Sequence, residues 1–185
     1  RMVFGNGCEF LSPSIWDHCK KRTIVINGFS KAFAMTGWRV GAAIAPAEVS
    51  RKITLISESI VSCVPGFIQD AAEKALRSSK EVTSEMYKAF RKKQEMLQQQ
   101  FEQSSFMNCD IPDGAMYIFP SIKQITEDCE SFAFHLLKTE GVACVPGVYF
   151  GANGKGYLRF SCAGKESDII GLDDLLVSAA NSFRG

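Results

Sequence analysis

The chain has 185 residues, of which 46% are hydrophobic and 22% are charged, and its formal net charge is +1. This length and apolar content are enough for one domain or two small ones with a buried core. The near-neutral balance argues against a nucleic-acid-binding or membrane-surface protein, because both need clustered basic residues. No run of about 18 apolar residues occurs, so the sequence predicts no transmembrane helix.

The seven cysteines are scattered, and no Cys-x-x-Cys pair occurs among them. Such spacing disfavours a disulfide framework or a zinc site and is typical of a reducing compartment, so we expect a cytoplasmic protein. We expect the cysteines to be small buried hydrophobic residues. His18 and His135 lie far apart in the sequence and predict no metal site. The chain begins at Arg1 rather than methionine, and we expect it to be part of a longer protein.

Two short apolar runs predict the first strands. Thr23–Ile26 is followed by an Asn-Gly turn and Trp38–Ala45 is followed by proline, so each is typical of a buried β-strand. The loop between them carries Lys31 and Arg39. Two buried strands joined in this way indicate the edge of a larger α/β sheet.

Three helices are predicted next, at Ala47–Ser59, Phe67–Ser78 and Glu81–Gln103. The last is the clearest, because its apolar residues recur at spacings close to 3.6. It is long enough to bridge two domains. Beyond it we predict strands at Ala115–Phe119, Val142–Val145 and Tyr157–Cys162, a helix at Glu130–Thr139 ended by Gly141, and a final amphipathic helix from Ile169 to Phe183.

The loop between the first two strands carries the residues best suited to a chemical function. Lys31 lies among Phe29, Phe33 and Met35, an environment expected to desolvate the ammonium group and make the amine a better nucleophile. Arg39 lies in an apolar run, where a guanidinium can bind a phosphate. A lysine for a carbonyl and an arginine for a phosphate suit a phosphorylated aldehyde cofactor. Considered alone, Lys31 is more simply interpreted as a solvated surface residue, and Arg39 as one partner of a structural ion pair.

The pattern S-K-x-x-x-x-x-G-x-R-x-G is formed here by Ser30, Lys31, Gly37, Arg39 and Gly41. It resembles the cofactor-lysine signature of class I/II pyridoxal-phosphate aminotransferases, in the aspartate-aminotransferase-like branch. The resemblance implies that Lys31 attaches pyridoxal 5'-phosphate and moves a proton between substrate and cofactor, while Arg39 binds the phosphate. Many members have a serine three residues before the lysine, where this chain has Gly28. Ser30 is the nearest substitute for that hydroxyl.

Three later segments extend the resemblance. Pro112–Tyr117 resembles the P-x-G-x-[FM]-[YF] strand entry, and Gly141–Gly151 resembles the G-V-x-x-x-P-G-x-x-F-G segment. Tyr157–Ser161 resembles the strand whose arginine binds the substrate α-carboxylate, which implies that role for Arg159. A guanidinium pairs bidentately with a carboxylate and fixes its orientation. Without the resemblance, a partly buried structural arginine is the simpler interpretation.

The resemblance implies an α/β fold of fold type I. Residues 1–84 would be the C-terminal part of the large cofactor-binding domain, and residues 85–185 an α+β small C-terminal domain. The implied activity is amino transfer between an L-amino acid and a 2-oxo acid by a homodimer, without nucleic-acid or membrane partners. The family's upstream residues, including the aspartate that keeps the pyridine nitrogen protonated, are outside this chain. We therefore expect the chain alone to be inactive.

Other functions share this fold. C–S lyases, cyclopropane-carboxylate synthases and the aminotransferase-like effector domains of some regulators remain alternatives, as does a cofactor-free structural domain. The sequence does not specify the amino-acid substrate. The Ser59–Gly66 loop lacks the arginine that some family members use for a side-chain carboxylate, which disfavours strict dicarboxylate specificity.

Overall fold

The structure is a computed structural model that describes residues 11–183. The chain divides into two compact units between Tyr87 and Lys88, three residues after the boundary expected from the sequence. The assignment of these units to a large and a small domain stays a prediction.

The first unit contains a two-stranded antiparallel sheet and two helices. Strand β1 is Val25–Gly28 and strand β2 is Gly41–Ile44, and their register pairs Gly28 with Gly41. Helix α1 is Ala47–Val61 and helix α2 is Gly66–Arg77. Both predicted helices are therefore confirmed, with ends shifted by one or two residues. Strands are present at both predicted places and are four residues long, but β1 begins two residues later than predicted and includes Asn27 and Gly28, so the turn expected there is wrong.

The prediction that these two strands are buried is wrong for this chain. Ile26 of β1 is 84% exposed and Ile44 of β2 is 55% exposed. Among residues 11–183, β1 and β2 pair only with each other, and a sheet of two strands leaves its edges uncovered. Apolar composition shows which side chains gain from burial, but burial itself requires a second layer of structure.

Helix α3, Ser79–Ser104, confirms the longest predicted helix, and the boundary between the two units falls within it. The second unit continues with a three-stranded antiparallel sheet in the order β3-β5-β4. Its strands are β3 (Tyr117–Ile118), β4 (Val145–Pro146) and β5 (Leu158–Ser161), and its further helices are α4 (Cys129–Glu140) and α5 (Leu172–Ser182). All three strands are shorter than predicted, because β3 and β4 each pair with β5 over only two residues. Strand β4 shares only Val145 with the predicted strand Val142–Val145.

The second unit has an extensive hydrophobic core. Its largest fully buried side chains include Phe101, Phe132, Leu136, Leu158 and Leu176. Along β5, Leu158 and Phe160 are buried, while the intervening Arg159 is half-buried. Since side chains alternate between the two faces of a strand, Arg159 projects from the face opposite the core.

Local capping signals explain the bounds of α4. The Asp128 carboxylate accepts a hydrogen bond from the backbone N–H of Ser131 at 3.1 Å, which satisfies a free donor in the first turn. Gly141 ends the helix with φ of 70°, the left-handed conformation that glycine adopts without a steric penalty. The predicted role of Gly141 is confirmed.

The cysteines in the described range are all free thiols. The buried ones are Cys19, Cys109, Cys129 and Cys162. Cys144 is partly buried, and its burial raises the thiol pKa to about 12. Cys63 is exposed, so the expectation of burial is wrong there. Cys8 lies outside the described residues.

Residues 11–183 contain neither a metal-binding cluster of side chains nor a helix that could span a membrane. No group of three or more histidine, cysteine, aspartate or glutamate side chains in that range is arranged to hold a metal ion. None of the helices there combines the length and the apolar composition needed to cross a membrane.

Candidate functional site

Lys31 lies on the loop that connects β1 to β2. The ladder between these strands ends at the Gly28–Gly41 pair, and the backbone N–H of Phe29 then donates to the carbonyl of Val40 at 3.3 Å. A turn follows in which the N–H of Phe33 donates to the carbonyl of Phe29 at 3.2 Å. The strands therefore hold both ends of the loop together, and the lysine sits in the turn between them.

Apolar side chains on both sides of Lys31 anchor this loop to α2. Phe29 and Met35 are buried and pack in one cluster with Ala72 of α2. Phe33 joins the cluster, with its ring centroid 5.4 Å from that of Phe29. The aromatic and methionine residues around the lysine thus fix the position of the loop.

Lys31 itself is exposed to solvent. The expectation that its apolar neighbours desolvate its ammonium group is wrong for this chain, because those neighbours are turned towards α2. No hydrogen bond or ion pair joins Lys31 to another residue in the 11–183 range. Its amine is therefore available to a ligand.

Arg39 occupies the far end of the same loop in a strained conformation. Its φ is 52°, a left-handed backbone that costs a residue with a side chain roughly 1–2 kcal/mol. Its guanidinium Nη1 donates to the carbonyl of Thr36 at 3.0 Å. No carboxylate within residues 11–183 pairs with it, so the structural ion pair considered for this arginine is not observed.

The loop therefore presents an ammonium from Lys31 and a guanidinium from Arg39, with Ser30 partly buried beside the lysine. Both cations are exposed, and neither is neutralised by a carboxylate of the described chain. An amine that attacks a carbonyl and a guanidinium that binds a phosphate are the groups a phosphorylated aldehyde needs. These residues fit pyridoxal 5'-phosphate.

Arg159 lies in the second unit, between two aromatic rings. Its guanidinium carbon is 4.3 Å from the ring centroid of Tyr117 and 4.6 Å from that of Phe150. Contacts of this kind stabilise a cation and hold its plane. No acceptor or carboxylate among residues 11–183 engages its N–H groups. With two rings packed against the guanidinium, its N–H donors suit a carboxylate.

Close backbone packing places Phe150 against Arg159. Gly147 and Gly154 approach so closely that a Cβ on Gly147 would lie 2.2 Å from the Gly154 carbonyl oxygen. The N–H of Gly147 also donates to the carbonyl of Tyr157 at 2.8 Å. This explains why the Pro-Gly-x-x-Phe-Gly segment needs glycine at its start, since any side chain there would displace the turn that carries Phe150.

The structure groups the predicted residues in two places. Ser30, Lys31 and Arg39 share one loop of the first unit, and Arg159 lies on the sheet of the second. The sequence did not reveal that Tyr117 and Phe150 cover Arg159. Their signal was present as an aromatic residue in each motif, but only the fold shows that both rings meet the same guanidinium.

Known proteins resemble this chain over most of its length. The family model for class I and II aminotransferases matches residues 1–170. The putative aminotransferase YugH of Bacillus subtilis is 41% identical over 155 residues, which are 84% of this chain and 40% of that protein. An aspartate aminotransferase of Pyrococcus horikoshii is 34% identical over 152 residues, covering 81% and 39% respectively. The chain thus spans about two fifths of the length of these curated relatives.

Solved structures agree with the sequence matches. An aromatic aminotransferase from Pyrococcus horikoshii has a TM-score of 0.88 at 31% identity, over 97% of this chain and 48% of that one. The aspartate aminotransferase from Rhizobium meliloti has a TM-score of 0.86 at 27% identity, over 97% and 47%. The predicted α/β fold of the aspartate-aminotransferase type is confirmed, over about half the length of these structures. The chain therefore belongs to the family of class I and II aminotransferases.

Proposed function

We propose that the whole protein containing this chain is a pyridoxal-phosphate-dependent aminotransferase. It would move an amino group between an L-amino acid and a 2-oxo acid. The observation that carries the proposal is the Lys31 loop, which presents on a strained, anchored turn an amine and a guanidinium that no carboxylate of residues 11–183 neutralises. Class I and II aminotransferases are generally pyridoxal-phosphate-dependent, so a cofactor with an aldehyde and a phosphate is the ligand that this loop suits.

Each residue of the loop has a distinct role in the proposal. Lys31 would hold the cofactor through Nζ and would carry a proton to and from the substrate Cα. Arg39 and Ser30 bind the phosphate, the arginine by its charge and the serine by its hydroxyl. When bound, pyridoxal phosphate supplies the carbonyl that accepts the amino group and a ring that withdraws electrons from Cα.

Arg159 is proposed to bind the α-carboxylate of the amino acid. Its plane is held by Tyr117 and Phe150, so the two oxygens of a carboxylate meet a fixed pair of donors. Such a bidentate pair orients the substrate and thereby lowers the entropic cost of aligning Cα with the proton acceptor.

We further propose a homodimer in the cytoplasm and a substrate range that is not strictly dicarboxylic. The relatives include enzymes named for aspartate and for aromatic amino acids. The loop between α1 and α2, which runs from Ser62 to Pro65, contains no arginine that would bind a side-chain carboxylate.

Borohydride reduction of the cofactor-loaded whole protein, followed by peptide mapping, tests the proposal. We expect the pyridoxyl group on Lys31. The Lys31→Ala variant should lose kcat by at least about a thousandfold, because a covalent and proton-transfer group is removed. The exposed Lys20→Ala variant is the matched control and should be unaffected. Label on a different lysine would refute the assignment.

Product analysis then separates the alternatives. An aminotransferase forms one oxo acid and one new amino acid in equal amounts. A C–S lyase releases a thiol or sulfide, and a cyclopropane-carboxylate synthase forms a cyclic amino acid. Cofactor binding without turnover would instead favour the effector domain of a regulator.

A further inference from the structure

Side chains along one face of α3 hold the segment that leads into β3. Arg91 donates to the carbonyl of Pro112 at 3.3 Å, and Gln98 donates to the carbonyl of Cys109 at 3.2 Å. Gln94, between them, makes two hydrogen bonds to this segment. Positions three and four residues apart lie on the same side of a helix, so these donors face the segment together.

Gln94 holds the part of the segment nearest β3. Its Nε2 donates to the carbonyl of Ala115 at 3.0 Å and to that of Tyr117 at 3.3 Å. Its side chain is buried, with 3% of the residue exposed. A buried amide is tolerated when its hydrogen bonds are satisfied. Replacing Gln94 by an apolar residue leaves the two carbonyls without this donor, which is unfavourable.

The backbone at this point needs external support. Ala115 has φ of 70°, which is unfavourable for a residue with a side chain. It precedes β3, so no strand partner holds its carbonyl. Gln94 binds that carbonyl and also the carbonyl of Tyr117, the first residue of the strand. It therefore fixes the chain on both sides of Met116.

Tyr117 connects this support to Arg159. The two residues lie on neighbouring strands, since Tyr117 pairs with Ser161 and Arg159 is two positions earlier on β5. The guanidinium carbon of Arg159 lies over the ring of Tyr117, 4.3 Å from its centroid. A shift of the Tyr117 backbone would move the ring and release the plane of the guanidinium.

We infer that Gln94 is a positioning residue for amino-acid binding, acting through Tyr117 on Arg159. The inference rests on the proposed function, in which Arg159 binds the α-carboxylate. Gln94 touches neither substrate nor cofactor in this scheme. Its contribution is to keep the donors of Arg159 in the plane that a bidentate carboxylate requires.

The test is steady-state kinetics of the Gln94→Leu variant of the whole protein with pyridoxal phosphate bound. We expect KM for the amino-acid donor to rise by about tenfold, the effect of losing one well-placed interaction with a charged group. The cofactor absorbance spectrum and the cofactor Kd should stay unchanged, and kcat should change by less than about threefold. A general loss of structure would instead lower kcat and cofactor binding as well.

Two further variants control for polarity and for helix contacts. Gln94→Glu has nearly the same shape but offers at most one donor, and only when the carboxyl is protonated, so it should also raise KM, by no more than the leucine variant does. Gln98→Leu removes a similar bond to the Cys109 carbonyl, away from Tyr117, and should leave KM unchanged. An equal rise in KM for the Gln98 variant would show a general effect of loosening the segment and would overturn the inference.

Tyr117→Leu keeps the test decisive if both Gln94 variants fail to fold. It removes the ring that links Gln94 to Arg159, so KM should rise, whereas Tyr117→Phe keeps the ring and should leave it unchanged. Arg159→Ala separates the two proposals. If Arg159→Ala raises KM and neither the Gln94 variants nor Tyr117→Leu do, the inference fails and the proposed function stands. If Arg159→Ala leaves KM unchanged, the role of Arg159 in the proposed function has failed.

Discussion

An isoleucine from each unit shows how differently the two parts of the chain are packed. Ile26 of β1 is 84% exposed, whereas Ile118 of β3 is 1% exposed. Both are apolar residues on short strands of small antiparallel sheets. The difference lies in what covers them, because Ile118 belongs to a large core and β1 has no such layer among the described residues.

The same difference in packing applies to the surroundings of the two residues proposed to act in the reaction. Arg159 lies in the unit that contains the large core. Lys31 lies in the unit whose buried cluster consists of Phe29, Met35 and Ala72. The lysine loop is formed, yet the strands that hold it are largely exposed among residues 11–183.

The largest expected effect is a complete absence of turnover by the 185-residue chain alone. It contains Lys31 and Arg159, the residues proposed to bind the cofactor and the amino acid, but β1 and β2 pair only with each other among residues 11–183 and are largely exposed. The measurement is a transaminase assay with added pyridoxal phosphate and several amino donors. Turnover close to that of the whole protein would show that the first unit is complete as it stands and would break the contrast between the units.

The next largest expected effect is the loss of stability caused by a core substitution in the second unit, compared with a substitution at an exposed position in the first. Phe132 is fully buried and its ring contacts Phe183 edge-on at a centroid distance of 5.2 Å. Phe132→Ala should destabilise the second unit by about 3–5 kcal/mol, since it removes burial and leaves a cavity. Ile26→Ala, at an exposed position, should change stability by less than about 0.5 kcal/mol. Urea denaturation of the chain measures both, and equal effects would contradict the difference in packing.

Arg159→Ala should weaken amino-acid binding in the whole protein while cofactor affinity stays unchanged. Hydrogen bonds to a charged group contribute roughly 1.5–3 kcal/mol, so kcat/KM should fall by about tenfold to a hundredfold. Arg159→Lys should recover little, because an ammonium lacks the planar fork held between Tyr117 and Phe150. Wild-type kinetics in the alanine variant would rule out the proposed role.

The smallest effect concerns the cap of α4 and its dependence on pH. Hydrogen bonds from Ser131 hold the pKa of the Asp128 carboxyl below its usual value. A lowered folded-state pKa stabilises the fold above the unfolded pKa of about 3.9, and this contribution disappears as pH falls through the folded value. Asp128→Asn should slightly lower the urea midpoint at neutral pH, and its difference from wild type should shrink below about pH 4. A difference that does not vary with pH would exclude the charge as the cause.

The sequence by itself determined the helices, the helix end at Gly141 and the family. Helical hydrogen bonds join residues four apart in the sequence. The position of a helix can therefore be predicted from local signals, namely the apolar periodicity and the capping residues. The spacing of Ser30, Lys31 and Arg39 likewise lies within one loop and could be recognised without a fold. Their proposed roles come from the family resemblance and still await the experiments above.

The tertiary structure alone decided which strands are buried and what surrounds Arg159. Strand pairing, ring stacking and the bonds from Gln94 join residues that are distant in sequence. No local sequence pattern predicts whether a second layer covers β1. Nor does one predict that Tyr117 and Phe150 contact the same guanidinium. These features depend on the path of the whole chain, because burial and stacking are properties of neighbours in space rather than of neighbours in sequence.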